Sequence, residues 1–396
     1  MRVLILTKIF PNREEPLSAP FNRQQFKALS GLCDVEILAT IPWFPLSRAF
    51  SKWTRAGRLH GVPATDMIEG LSVQHPRVAF LPKVDHGLSG ALYAASLAAT
   101  TLRLHGRVDV VLGSWAYPDG FAAVVLAELL GVPAVIKLHG SDMNVVARRA
   151  GPRRCLEWAF SRADRVVAVS RPLRDAAIAL GAAPDRVDIV RNGVDRVRFR
   201  PRSRAAARRT LGLSQDGFVV LYVGHVERHK GSVDLVRAFA SISASRRDVS
   251  FVMVGDGAAM VECRNLAAEL GVSVEFAGAR PHDEVPTWLA ACDVFVLPSW
   301  NEGTPNVVIE ALACGRRVVA TNVGGTPDVV TSAVLGTLVP PRAPRVLGAA
   351  IEAAVSTHYV PAIVSAALEA PDWKESARGL YDSLIAALST RASVAA

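Results

Sequence analysis

With 396 residues, half of them hydrophobic, the chain holds enough apolar material for two domains of ordinary size. Its formal net charge of +9 is unevenly spread: residues 1–195 carry 24 Lys+Arg against 17 Asp+Glu, and the remainder carries 21 against 19. Seven arginines lie between Arg196 and Arg209 and the rest of that second half is acidic, which excludes a uniformly basic nucleic-acid binder and suits a basic first half facing an anionic surface. Apolar strand-like runs alternate with helix-like stretches along the chain, the pattern of an α/β protein. In the first half, runs at 3–6, 35–39, 108–112, 134–138, 165–169 and 187–190 read as strands, with helices over 22–30, 120–130 and 172–180. In the second half, strands fit 218–223, 249–254, 274–276, 294–297 and 318–321, with helices over 232–244, 260–270, 284–291 and 304–313. The alternation breaks after Asp195, at the arginine-rich segment containing Pro201, and an amphipathic pattern over 372–388 closes the chain. The predicted organisation is two doubly wound, Rossmann-like domains, 1–195 and 196–370, and a final helix within 371–396. Ligands in such sheets bind beyond the carboxyl ends of the strands, so two units facing each other would share a central cleft.

Cys33, Cys155, Cys263, Cys292 and Cys314 are dispersed with no Cys-x-x-Cys pair, which argues for a reducing compartment and against a disulfide framework or a zinc site. The apolar start at 1–8 is too short for a signal peptide and reads as a buried strand. The longest uncharged stretch, 86–102, falls short of the roughly 20 apolar residues that span a bilayer. A cytoplasmic protein is expected, soluble or peripheral at the inner face of the cell membrane.

Several strand ends in the first half carry polar motifs. Thr7-Lys8-Ile9-Phe10-Pro11-Asn12 follows the first strand, and Ala19-Pro20-Phe21 opens the first helix. Pro42-Trp43-Phe44-Pro45, continuing through Phe50, Lys52, Trp53, Arg55 and Arg58, mixes aromatics and bases with few acids. That composition fits a membrane-surface segment, a stacking surface for nucleic acid, or a partly buried surface helix with snorkelling bases. With the basic first half it favours a membrane-linked acceptor. Trp115 to Gly120 ends another strand, and Asp119 there fits either an acceptor contact or a helix cap. His139-Gly140-Ser141-Asp142 ends the strand at 134–138.

In the second half, a strand runs through Gly224-His225 into Arg228-His229-Lys230-Gly231, where two cations suit a diphosphate: Arg offers a planar fork and Lys a point charge. Gly255-Asp256-Gly257 makes a tight turn after the next strand, and Ala279-Arg280 follows the third. The richest stretch is Glu302-Gly303-Thr304-Pro305-Asn306 with Glu310 eight positions after Glu302. Pro305 at a first helical position and Gly315 after the last apolar residue are start and stop signals. A small-residue loop at a helix N-terminus offers backbone N–H groups to a phosphate. Carboxylates flanking it repel phosphate and instead suit hydroxyls on either side of a diphosphate, the layout of a nucleotide sugar.

This last stretch, continued by Arg317 to Thr321 and Gly324-Gly325-Thr326-Pro327-Asp328, resembles the Glu-x7-Glu donor signature of retaining glycosyltransferases of the GT-B fold, in particular family 4. The resemblance covers nearly the whole chain and is strongest from Phe218 to Asp328. It implies that Lys230 and an arginine hold the diphosphate; Lys230 and Gly231 match, but His225 occupies the usual arginine position, leaving Arg228 or His225 to serve. It further implies that Gly255 and Gly257 lie near the nucleotide, that Ala279 and Arg280 line the base pocket, and that Glu302 and Glu310 orient the sugar hydroxyls and the ribose. His139 would meet the donor sugar from across the cleft, with Asp142 organising its loop. Family members commonly carry Gly near Ala19 or Pro20.

The implied function is retaining transfer of a hexose from a UDP- or GDP-linked donor to a saccharide or lipid-linked acceptor, in cell-surface polysaccharide or glycolipid synthesis. The donor is a substrate, no cofactor is required, no Asp-x-Asp motif calls for a metal, and nucleic acid is not a partner. A sugar-nucleotide epimerase of the same fold and a non-catalytic basic membrane or nucleic-acid module are the rivals. A dinucleotide dehydrogenase is disfavoured because no G-x-G-x-x-G follows the first strand.

Overall fold

In the computed structural model, which describes residues 1–50, 53–80 and 86–395, the apolar runs become strands of two main sheets, one in each of two units. The first unit comprises Met1–Gly193 with the tail from Trp373, and the second Val194–Asp372.

The first unit contains β1 (Arg2–Thr7), β2 (Asp34–Ala39), β3 (Ile41–Trp43), β4 (Thr65–Ile68), β5 (Leu71–Gln74), β6 (Arg77–Ala79), β7 (Val110–Ser114), β8 (Ala134–Lys137), β9 (Arg165–Ala168) and β10 (Val187–Ile189). Its sheet runs β10-β9-β8-β7-β1-β2-β5-β4, parallel except for the β4–β5 pair. Strands β3 and β6 form a separate parallel pair. The central strands read as unbroken apolar runs because both sheet faces are covered: Val3 to Thr7 are all buried. The covering helices are α1 (Pro20–Leu29), α2 (His86–Leu102), α3 (Phe121–Leu130), α4 (Ala150–Arg162) and α5 (Arg171–Ala179). The strand expected at 108–112 sits two residues later, since Gly113 and Ser114 continue the pairing with Ile136 and Lys137. The uncharged stretch at 86–102 is helix α2, and no helix among the described residues is long and apolar enough to cross a membrane.

The second unit contains β11 (Phe218–Val223), β12 (Val249–Val254), β13 (Val274–Gly278), β14 (Val294–Leu297), β15 (Arg317–Thr321) and β16 (Gly336–Val339), all parallel in the order β13-β12-β11-β14-β15-β16. Its helices are α6 (Arg204–Leu211), α7 (Ser232–Ser245), α8 (Met260–Glu269), α9 (Val285–Ala291), α10 (Asn306–Ala313), α11 (Pro344–Val355) and α12 (Pro361–Ala367). The closing helix α13 (Trp373–Ala395) belongs to the first unit, where Ala377, Leu380 and Leu384 join the core of β1, β2 and β7.

The arginine-rich segment is not a bare interruption. It forms α6, and Arg208, almost fully buried, donates to Asp293 at 2.5 Å, to Ala291 O at 3.0 Å and to the carbonyls of Ser214, Gln215 and Gly217. Arg204 reaches Asp293 Oδ1, while Oδ2, the oxygen held by Arg208, also accepts the backbone N–H of Val219. A buried guanidinium left without its carboxylate is strongly destabilising, whereas a half-exposed ion pair contributes little. Asp293→Ala is therefore expected to cost the second unit about 3–5 kcal/mol, and Arg204→Ala about 1 kcal/mol or less. Denaturant unfolding of the two variants checks the contrast.

Candidate active site

In the second unit the chain winds outward from β11 through β12 and β13 on one side, and from β14 through β15 and β16 on the other. The loops leaving β11 and β14 therefore part at a topological switch point, the usual place for a ligand in an open α/β sheet. The β11 loop brings the turn Arg228–Lys230, and the β14 loop brings Glu302. Lys230 Nζ bonds Glu302 Oε1 at 2.8 Å. The Glu302 side chain is only 10% exposed, so it requires a cation close by. Trp300 fastens the two loops together: its N–H donates to His229 O at 2.9 Å and its indole to Asp234 Oδ2 at 2.8 Å.

Two glycines are fixed by their neighbours. Gly324 has φ +50, and a Cβ there would overlap the carbonyl oxygen of Glu302; beside it the N–H of Gly325 donates to Gly303 O at 2.9 Å. Gly255 has φ +139, and a Cβ there would overlap Gly224 O. The turn continues with Val226 N–H donating to Asp256 O at 3.0 Å and Gly257 N–H to Asp256 Oδ1 at 2.7 Å.

Helix α10 starts at Asn306, with Pro305 as its cap residue rather than its first helical one and Thr304 just outside. Glu310 stands one turn in, on the same face as Asn306. Its Oε1 lies 2.8 Å from His282 Nε2, and both side chains are about 15% exposed. His282 packs on the Phe199 ring at 5.4 Å, and its Nδ1 is buried with no hydrogen-bond partner. Sequence reading passed over His282; the available signal was a His two residues beyond Arg280, at the same end of the sheet. Arg228 is not gathered with Lys230 and Glu302. Its side chain is 69% exposed and grips Glu262, with contacts of 2.5 and 2.8 Å. His225 is exposed and its carbonyl accepts the Tyr222 hydroxyl at 2.7 Å. Ala279 and Arg280 are exposed, Arg280 donating to Ala277 O at 3.1 Å.

In the first unit, Asp142 ties the loop after β8: it accepts the backbone N–H groups of Ala116 at 2.9 Å, Gly140 at 2.6 Å and Met143 at 3.1 Å, and that of His139. The His139 ring lies between Phe21 and Trp115, with centroids at 5.0 and 5.8 Å. Its tautomer follows from the network. Asn22 Nδ2 donates to Ile9 O, which orients the amide; Ser114 then donates to Asn22 Oδ1 at 3.2 Å and must accept Nε2–H of His139 at 2.9 Å. Burial, reinforced by Lys137, holds the His139 pKa well below its usual value, so the ring is neutral. Asp119 does not cap a helix. It accepts the hydroxyl of Tyr93 in the core, and burial pushes its carboxyl up to about 7 against the pull of Lys8. Ala19, where the family commonly has Gly nearby, holds a left-handed conformation, φ 42. The aromatic and basic stretch is not one helix: β3, a short turn at Ser47–Phe50 and a helical turn at Arg55–Arg58 succeed each other, and Lys52 lies outside the described residues.

The sequence model of the group 1 glycosyl transferases matches residues 203–362, and that of glycosyltransferase family 4 matches 43–198. TuaC of Bacillus subtilis strain 168, named as a teichuronic acid biosynthesis glycosyltransferase, is 30% identical over 333 residues, 83% of either chain. The chain belongs to the group 1 glycosyltransferases. A D-inositol 3-phosphate glycosyltransferase of Catenulispora acidiphila is 34% identical over 328 residues, 76% of this chain and 77% of that one. Among solved structures, Anabaena HepE in complex with UDP matches with TM-score 0.69 at 20% identity, over 100% of this chain and 98% of its own. WaaG, a glycosyltransferase involved in lipopolysaccharide biosynthesis, matches with TM-score 0.65 at 18% identity, over 96% and 95%. The fold is GT-B, two Rossmann-like domains.

One charge in this glycosyltransferase is held without solvent. Lys137, on β8 beside His139, is fully buried and donates to Gln25 Oε1, while Gln25 in turn donates to Ser376 Oγ at 2.9 Å on α13. Burial brings the Lys137 pKa down to about 7, opposed by Asp142. Its unfolded value is 10.5, so between pH 7 and 10.5 the unfolded chain binds the proton more strongly and stability rises with pH. Lys137→Met should flatten that rise, leaving the smaller part due to Lys8, which burial shifts in the same direction. Urea midpoints at about pH 7.5 and 9.5 measure it, and an unchanged slope in the variant would refute it.

Proposed function

We propose that this glycosyltransferase moves a hexose from a UDP- or GDP-linked sugar to an acceptor hydroxyl with retention at the anomeric carbon and without a metal. The observation that carries the reading is the Lys230–Glu302 pair at the β11/β14 switch point, next to the N-terminus of α10. The C1–O bond to the diphosphate breaks as the acceptor oxygen bonds to C1 on the same face, and the acceptor proton passes to the leaving phosphate. The largest need is for positive charge where the diphosphate departs. Lys230 and the backbone N–H groups around Thr304 to Asn306 supply it. As the diphosphate draws Lys230, the Glu302 carboxylate turns its lone pairs to the sugar hydroxyls, and Glu310 does the same for the ribose with His282 holding its other side.

The names of similar proteins support cell-surface polysaccharide or glycolipid synthesis, TuaC being named for teichuronic acid and WaaG for lipopolysaccharide, and a UDP-linked donor, HepE being in complex with UDP and with UDP-glucose. His139 enters as a neutral hydrogen-bonding group, since its Nε2–H is committed to Ser114.

Initial rates of sugar release from UDP- and GDP-sugars test the reading. Lys230→Ala and Glu302→Gln should each lower kcat about 10²–10³-fold. Glu310→Gln and His282→Ala should instead raise the donor KM and erase the preference for a ribonucleoside over its 2′-deoxy counterpart. Equal, low turnover in wild type and in all variants would overturn the transferase assignment.

A further inference from the structure

After β16 the chain turns at Pro341 and Arg342, and Arg342 takes φ 58. A positive φ at the second central position of a turn ordinarily falls to Gly or Asn, because other side chains are strained there. Arg342 is exposed, and its guanidinium lies 4.4 Å above the centroid of the Trp300 ring. Among the described residues no carboxylate pairs with it. An exposed cation over an aromatic ring contributes no more than such a backbone conformation costs. The arginine is therefore not explained by the stability of its own turn, and strain of this kind concentrates where a site uses it.

The ring beneath it is fixed from other directions. The Trp300 indole N–H donates to Asp234 Oδ2 at 2.8 Å, while Asp234 Oδ1 lies 3.6 Å from Arg237. The Trp300 backbone N–H donates to His229 O at 2.9 Å. Beside that bond a Cβ on Gly231 would overlap Pro298 O, so segments 229–231 and 298–300 touch main chain to main chain. Lys230 lies within the first segment, and Glu302 stands two residues beyond Trp300. Trp300 is thus the side chain that fixes where the β14 loop sits against the β11 loop, and with it the 2.8 Å between Lys230 Nζ and Glu302 Oε1. Arg342 closes over this ring from the loop after β16, two strands away from β14 in the sheet.

We propose that Arg342 is a positioning residue for the transfer: it presses Trp300 onto the β11 loop and so holds Lys230 and Glu302 at the spacing that the departing diphosphate requires. The proposal rests on the transferase reading for its effect on catalysis, and the hold on Trp300 is measured apart from it.

The test compares amide hydrogen exchange, melting temperature and turnover of the UDP-sugar that the wild type uses fastest, in the full-length wild type, Arg342→Gly and Arg342→Lys. Glycine suits the turn, so Arg342→Gly should keep or raise the melting temperature. It should nonetheless speed exchange of the Trp300 amide about ten-fold. In the same variant kcat should fall about ten-fold while the donor KM moves less than about two-fold. Arg342→Lys keeps a cation over the ring and should restore most of both losses. Equal exchange at Trp300 in Arg342→Gly and wild type would overturn the hold on the ring. Faster exchange with unchanged kcat would overturn its part in the reaction. A lower melting temperature in Arg342→Gly would make the arginine a stabilising residue and overturn the positioning role. Absence of turnover with every UDP- and GDP-sugar in the wild type would sink the transferase reading alone, since the exchange rates decide the hold on Trp300 without it.

Discussion

A carboxylate that is nine-tenths covered must keep a positive partner, and the second unit is arranged around that requirement at Glu302. Lys230 can meet it only because the β11 and β14 loops leave neighbouring strands at the point where the winding reverses. On the proposed reading, a diphosphate arriving at Lys230 would replace one negative charge by another and release the Glu302 carboxylate toward hydroxyl groups.

The first unit solves a different electrostatic problem. It places Lys137, Asp119, Asp142 and His139 within or beside its core and keeps them there by hydrogen bonds more than by ion pairs. Gln25, a neutral amide, receives the buried ammonium, and backbone N–H groups surround Asp142. Such a network fixes tautomers and loop shapes at the strand ends. It holds the loop around His139 in one shape at the end of β8.

Much of this was legible in the amino-acid order. Buried parallel strands leave continuous apolar runs, so β11, β12 and β14 fall on the expected residues, and the long ordered motif around Glu302 and Glu310 pointed to one family. Short strands such as β4, β5 and β6 were not anticipated, because three or four residues carry too little periodicity. Helices α2 and α4 escaped because one is rich in small residues and the other in arginine. The arginines of α6 looked like a solvated linker, since nothing local reveals that Arg208 meets Asp293 from 85 positions away. For the same reason spacing alone nominated Arg228 as a diphosphate ligand and overlooked His282: each has a partner, Glu262 or Glu310, on a helix distant in sequence.

The contacts at Gly255 and Gly324 carry a consequence for how this site can diverge. Each glycine leaves its missing methyl's place to the main chain of an adjoining loop, Gly224 in one case and Glu302 in the other. The loops are thereby interlocked in two pairs, joined to each other by the Trp300 N–H to His229 O bond, all through backbone atoms, which no side-chain replacement can reshape. Lengthening or re-routing one loop would dislodge the next. Descendants of this chain can therefore vary by exchanging side chains exposed on this floor of loops, such as His225 or Arg280, far more readily than by insertion or deletion. Diversity in such a lineage should accumulate as point replacements on a floor of constant length.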